Sequence, residues 1–182
     1  NDGDVGAVRR TIVDEDDLAD GSSPNDPALT QAGSFTVNGL DGIASIKIEG
    51  TETFVGQQFT TAYGTFTVTS MSAPANGSAT AITIGYSYVL TDNTAHPNAD
   101  DENFITEFFD VAVTDTDGST DTDQVEVRII DDVPTAISDG VFNVNEQTPL
   151  IIDALDNDVQ GADGVSLTSG VVVATNPTKG SV

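Results

Sequence analysis

Acidic residues are the chemically most informative feature of this sequence. The stretch DTDGSTDTDQVEVRIIDDVP, residues 115–134, crowds carboxylates at both ends of a run of alternating apolar residues. Like charges on neighbouring strands repel each other, and a partly buried charge without a partner costs free energy. A divalent cation removes this cost, and Ca²⁺ takes about six to eight oxygens from Asp, Glu, Asn and backbone carbonyls. The stretch therefore indicates cation binding.

The first acid group lies where one alternating run ends and the next begins. Val111 and Val113 have the same parity as Asp115 and Asp117, so simple alternation points all four side chains to the same side. A turn that closes on Gly118 keeps the two arms in phase. We therefore expect Asp115 and Asp117 to cluster at one end of a β-sandwich as cation ligands.

Two other interpretations compete for this stretch. An EF-hand loop that starts at Asp115 would end at Glu126, with oxygen-bearing side chains at most of the required positions. It lacks the glycine needed at the sixth position, because Gly118 is fourth, and strands rather than helices flank it. The other interpretation is a solvated acidic hairpin tip that binds nothing, since many surface acids serve only solvation.

A second acid group surrounds the linker that follows residue 130. Asp131 and Asp132 stand just before Pro134, and Glu146 follows in the next apolar run. The segment DALDNDVQGADG adds further oxygen ligands, among them Asp156 and Asp158. Linker acids combined with a following Asp-Asn-Asp loop predict cations that bridge two domains.

Two more acidic segments lie in predicted loops. TDNTAHPNADDEN contains Asp101 and joins two strand signals, so we expect an end loop, which is either solvated or lies at the linker end and shares a site with Asp131. VDEDDLADG contains Glu15 and Asp17, which we expect at the opposite end, near the 115–123 hairpin. His96 is predicted to be a bystander, because a catalytic histidine needs an orienting partner and a nucleophile nearby.

The elements that must position these acids are β-strands. SFTVNGL, ASIKIEG, GTFTVTSM, TAITIGYSYVL, FFDVAVTD and DQVEVRII alternate with period two and are rich in β-branched and aromatic residues. Their number and spacing predict an all-β domain, a sandwich over residues 1–133. After a linker at 134–136, the signals GVFNVNE, PLIIDAL and VSLTSGVVVAT predict the first half of a second β-domain over 137–182.

Composition excludes several classes of partner. The chain of 182 residues has 30 acidic and 5 basic residues, a formal net charge of −25, which argues against nucleic acid and anionic membranes. It has no cysteine, and no apolar run is long enough to span a membrane. No phosphate-binding glycine loop, nucleophile elbow or HExxH motif occurs, so we expect a monomeric segment that is not an enzyme.

Three segments resemble the repeated β-sandwich domains of very large bacterial RTX adhesins, which are exported by type I secretion. They are VDEDDLADGS, GYSYVLTDN and VAVTDTDGSTDTDQVEVRIIDDVPTA, and the resemblance covers roughly residues 5–136. The tail DGVFNVNEQTPLIIDALDNDVQGADGVSLTS looks like the start of a bacterial cadherin-like repeat. The glycine-rich nonapeptide repeats of such adhesins are missing, so the resemblance is to an internal piece.

This resemblance implies a function. Such immunoglobulin-like or cadherin-like domains are extenders at the bacterial cell surface, outside the cell, in adhesins that support biofilms. Ca²⁺ stiffens the joints between neighbouring domains of the same chain. Carried over to this sequence, Asp131 and Asp132 match the linker acids, and Glu146, Asp156 and Asp158 match the next domain's contribution. The alternative is a calcium-dependent module of the same adhesin that binds a carbohydrate or a peptide.

Overall fold

The alternating segments form ten strands in the computed structural model, which describes residues 3–5, 10–72, 80–97, 103–145, 148–165, 172–173 and 175. The strands are β1 (Gly3–Val5), β2 (Thr11–Asp14), β3 (Thr30–Gly39), β4 (Ile43–Ile48), β5 (Thr51–Glu52), β6 (Gln58–Thr60), β7 (Gly64–Met71), β8 (Ala81–Leu90), β9 (Phe104–Asp115) and β10 (Thr120–Ile130). A single 3₁₀ turn, Glu15–Asp17, follows β2 among the described residues.

The strands make two five-stranded sheets, one in the order β1-β3-β8-β7-β6 and the other in the order β2-β10-β9-β4-β5. Their inner faces meet in a core that is rich in aromatic rings. Phe66 of the first sheet stacks on Tyr86 with ring centroids 4.8 Å apart and reaches Phe109 of the second sheet at 4.6 Å. All three side chains are buried. The predicted all-β sandwich is thus confirmed for this part of the chain.

The β9–β10 hairpin runs the length of the sandwich. Its register pairs Thr120 with Thr114 beside the turn and Ile130 with Phe104 at the far end. The turn contains Gly118 at φ 96°, a left-handed conformation that glycine adopts without a steric penalty. The hairpin therefore separates Asp115 and Asp131 by the full length of the domain, as the sequence predicted.

Strands β2 and β10 form the one parallel pair among the described strand pairs. The register joins Thr11 to Val127 and Asp14 to Ile130. Parallel strands end at the same edge of a sheet, so the chain leaves β2 at the end where β10 meets the linker. This pairing decides where Glu15 lies.

The segment after the sandwich is largely unpaired. Within the described residues 135–165, the only ladder contact is an isolated bridge between Thr135 and Val159. The strand predictions for GVFNVNE and PLIIDAL were wrong, because the described residues of these segments form no strand. The side chains expected to face a core are exposed instead, Val141 to 91% and Ile151 to 95%. A short strand is marginal without a neighbouring strand to complete its hydrogen bonds. The second domain remains a prediction.

No helix among the residues described here is long and apolar enough to cross a membrane.

Candidate cation sites

The linker end of the sandwich brings together Glu15, His96 and Asp131. One ligand-capable atom from each of them lies within 4.8 Å of the other two, which makes them the one such group of three found in the described part of the chain. Glu15 comes from the turn after β2, His96 from the loop between β8 and β9, and Asp131 from the residue after β10. Three segments far apart in sequence thus meet at one point.

The Glu15 carboxylate is only partly satisfied. Its residue is fully buried, and Oε1 accepts a hydrogen bond from the Thr94 amide at 2.8 Å. Oε2 is buried and has no hydrogen-bond partner among the described residues. Burial raises the pKa of the Glu15 carboxyl, while the Thr94 amide and the neighbouring His96 lower it. A buried carboxylate with an unsatisfied oxygen is costly, so this group favours a cation.

Only one of the two ring nitrogens of His96 has a hydrogen-bond partner among the described residues. Its side chain is 3% exposed, Nδ1 lies 3.0 Å from Asn103 Oδ1, and Nε2 approaches Glu15 Oε1 to 3.3 Å. The Nε2 atom is buried and has no hydrogen-bond partner among the described groups. His96 therefore lies inside the acid group, and its role as a catalytic bystander stays a prediction.

Asp132 has a different role in the structure. It is 6% exposed, and its Oδ2 accepts hydrogen bonds from the Ser22 amide at 2.7 Å and the Ala162 amide at 3.0 Å. The Asn93 amide group donates to the Ala162 carbonyl at 2.6 Å. Asp132 thus fastens the loop around Ala162 to the sandwich by hydrogen bonds.

The hairpin end carries the second acid group. Asp115 is 1% exposed, and its Oδ1 accepts hydrogen bonds from the amides of Asp117 at 3.2 Å and Ser119 at 2.9 Å. Its Oδ2 is buried without a partner in the described part of the chain. The neighbouring Asp117 carboxylate, and then burial, raises the pKa of the Asp115 carboxyl, and the same pairing lowers the pKa of Asp117. The expected clustering of these two side chains is confirmed.

Several acids lie elsewhere than expected. Glu15 is at the linker end and not near the 115–123 hairpin, because β2 runs parallel to β10. Asp17 follows Glu15 in the same turn and is not part of the group of three; burial raises its pKa, and a hydrogen bond from Asn25 lowers it. Asp101 lies outside the described residues.

The predicted tail ligands Asp156 and Asp158 are not part of the group that contains Asp131. Asp158 Oδ1 accepts a hydrogen bond from the Ile137 amide at 2.6 Å and so folds the tail on itself. Asp156 is exposed nearby, and Glu146 lies outside the described residues. The tail acid close to the linker group is Asp163, whose pKa is raised by burial and by the charge of Asp131.

The sequence contained a partial signal for what was missed. One interpretation put the loop between β8 and β9 at the linker end. Because His96 and Asp101 belong to the same loop, that interpretation allows either of them to lie beside Asp131. The approach of Asp163 depends on how the tail folds back on the sandwich, and no local pattern in the sequence reports it.

The two groups differ in how well they suit Ca²⁺. At the hairpin end the side-chain donors are carboxylate oxygens, which Ca²⁺ prefers. At the linker end the donor set contains an imidazole nitrogen, which is not among the usual Ca²⁺ ligands. The hairpin group fits calcium, and the group of Glu15, His96 and Asp131 fits it poorly.

No family model, curated protein or solved structure matches this chain. The fold and the two acid groups therefore stand on their own geometry.

Proposed function

We propose that this chain is an extender segment of a bacterial surface adhesin, stiffened by calcium, which projects ligand-binding modules from the cell. The observation that carries the proposal is the pair of acid groups at opposite ends of the β9–β10 hairpin. Each group holds a buried carboxylate oxygen without a described partner, on Asp115 at one end and on Glu15 at the other. Buried oxygens in that state favour a bound cation at each end.

An extender must keep its shape between its two neighbours in the chain. In this proposal Ca²⁺ binds Asp115 and Asp117 at the hairpin end and ties the turn to the rest of the sandwich. At the other end, Asp132 accepts a hydrogen bond from the Ser22 amide of the sandwich and one from the Ala162 amide of the following segment, and so attaches that segment. Without cations, repulsion between the acids loosens both ends, because each pair of like charges is held close in a partly buried setting.

Burial favours the extender over the alternative of a ligand-binding module. A module that grips a carbohydrate or peptide through Ca²⁺ needs an ion with open coordination positions beside exposed aromatic side chains. Asp115 and Glu15 are 1% and 0% exposed. An ion bound to either residue would therefore have at least one buried ligand. The assignment to a secreted bacterial surface protein, without enzymatic activity, rests on the resemblance of the segments quoted above.

Thermal unfolding of metal-free protein tests the proposal. An ion present at a hundred times its dissociation constant adds about 2.7 kcal/mol to the free energy of unfolding. For a chain of this size that corresponds to a rise in melting temperature of roughly 5–10 °C. We expect such a rise in millimolar Ca²⁺ relative to chelator, and a smaller one in Mg²⁺, which is more reluctant to shed water.

Variants locate the effect. Asp117→Asn should remove most of the Ca²⁺-dependent rise, whereas Asp26→Asn, at an exposed position outside both groups, should retain it. An identical melting curve in Ca²⁺ and in chelator would refute the proposal. A rise that persists in Asp117→Asn would place the calcium elsewhere.

A further inference from the structure

The donor set at the linker end points to a different ion from the one at the hairpin end. Glu15, His96 and Asp131 offer one imidazole nitrogen and two carboxylates. Histidine nitrogen together with carboxylate oxygen is a common ligand combination for Zn²⁺, which sits about 2.0–2.2 Å from such atoms. Imidazole suits Zn²⁺ and the neighbouring transition ions, whereas Ca²⁺ is bound through oxygen.

Hydrogen bonds around Asn103 decide which nitrogen of His96 is free to bind a metal. The Asn103 Nδ2 group donates to Asp131 Oδ2 at 2.9 Å and to the Pro97 carbonyl at 3.3 Å. Its Oδ1 therefore faces His96 Nδ1 at 3.0 Å, and an amide oxygen can only accept a hydrogen bond. The proton of a neutral imidazole must then be on Nδ1, which leaves Nε2 without a proton, 3.3 Å from Glu15 Oε1.

That arrangement is unfavourable without an ion. A bare Nε2 lone pair 3.3 Å from Glu15 Oε1 places two electron-rich atoms against each other. A second proton on the ring would relieve that contact alone and would leave Glu15 Oε2 without a partner. One metal ion bound to both residues satisfies both atoms. Asn103 would then act as the outer partner that metal-binding histidines usually have on their second nitrogen.

We propose that Glu15, His96 and Asp131 form a site for a divalent transition ion of the zinc class, and that this site does not take calcium. The Thr94 amide orients Glu15, and Asn103 orients both His96 and Asp131. The site joins the end of β2, the loop before β9 and the end of β10. This inference does not depend on the proposed extender function or on calcium at the hairpin end.

The single histidine of the chain makes the test direct. A tag-free, metal-stripped chain labelled with ¹⁵N on the imidazole is titrated with Zn²⁺ or Ca²⁺ and followed by long-range ¹H–¹⁵N NMR. We expect one equivalent of Zn²⁺ to move the Nε2 resonance to its metal-bound position while Nδ1 keeps its proton. Excess Ca²⁺ should leave the ring unchanged. A ring that ignores Zn²⁺, or that responds equally to Ca²⁺, overturns the proposal.

Variants separate this site from the hairpin group. Glu15→Gln should weaken Zn²⁺ binding at least about tenfold, and Asn103→Ala, which removes a positioning residue, about ten- to a hundredfold. Asp117→Asn should leave Zn²⁺ binding unchanged while it removes the calcium effect on melting. Unchanged Zn²⁺ affinity in Glu15→Gln would mean that His96 binds the metal without Glu15, and it would refute the assignment.

Discussion

Replacing Asp132 by alanine should release the segment after the linker from the sandwich. The change removes the acceptor of two backbone amides, those of Ser22 and Ala162. A hydrogen bond to a charged acceptor contributes about 1.5–3 kcal/mol when both groups are buried, and less where water can replace it. The Ala162 bond is buried and the Ser22 bond is partly buried. We therefore expect a total loss of about 2–4 kcal/mol.

The lost free energy should lower both the global stability of the sandwich and the local stability of the two hydrogen-bonded amides. Urea denaturation measures the free energy of unfolding of the sandwich, and amide hydrogen exchange at Ser22 and Ala162 measures local opening. We expect both amides to exchange much faster in Asp132→Ala. Asp132→Asn keeps an acceptor oxygen of the same shape and removes a charge near Asp131, so it should cost less than half as much. Asp20→Ala, an exposed acid in the same region, serves as the matched control.

Wild-type exchange at both amides and an unchanged urea midpoint in Asp132→Ala would show that the hydrogen bonds to Asp132 do not hold the segment. This prediction would also fail if Asp132→Asn and Asp132→Ala were equally damaging in protein freed of metal. In that case the charge, and not the hydrogen-bond acceptor, would be what the fold requires.

Three further predictions follow from the geometry. Gly161→Ala should undock the same segment, because a Cβ at φ 72° would collide with the Asp132 carbonyl. Gly164→Ala, at φ 66° with only an ordinary contact to Gln160 Oε1 at 3.9 Å, controls for the backbone strain, and hydrogen exchange at Ala162 reports the difference. Phe66→Ala should cost about 3–5 kcal/mol in urea denaturation, since it empties the contact between the sheets; a loss below about 1 kcal/mol would contradict this packing. Glu126→Gln should lower the melting temperature at neutral pH but not in strong acid. Hydrogen bonds from Arg10 and Arg128 lower the pKa of the Glu126 carboxyl, so its stabilisation is present above the ordinary pKa and is lost as the pH falls through the lowered value. A difference in melting temperature that does not vary with pH would contradict that origin.

The sandwich was predictable because its signal is local. Alternation with period two marks which residues face the core, and Val111, Val113, Val125 and Val127 are buried as their parity requires. Asp115 belongs to the same alternating set of positions, so its place at one end of the hairpin could be predicted from the sequence. Because β10 runs from the turn to the linker, the acids before it and after it must lie at opposite ends of the sandwich.

The composition of the linker group could not be predicted in this way. Glu15 reaches Asp131 because β2 lies parallel to β10, and a parallel pairing between distant segments leaves no mark in either segment alone. The same holds for Asp132, which resembles a metal ligand in the sequence and is a hydrogen-bond acceptor in the fold. The apolar runs of the tail have the period of strands, yet a strand also requires a partner to pair with.

The central claim is that the buried, unsatisfied oxygens at the two ends of the sandwich are places where cations bind. A crystal structure of the chain grown with both Ca²⁺ and Zn²⁺, with anomalous difference maps recorded on either side of the zinc absorption edge, tests it most directly. The account predicts a calcium-bound Asp115 and Asp117 at the hairpin end and a zinc peak between Glu15, His96 and Asp131. Maps that show only water beside Asp115 Oδ2 and Glu15 Oε2 would contradict it.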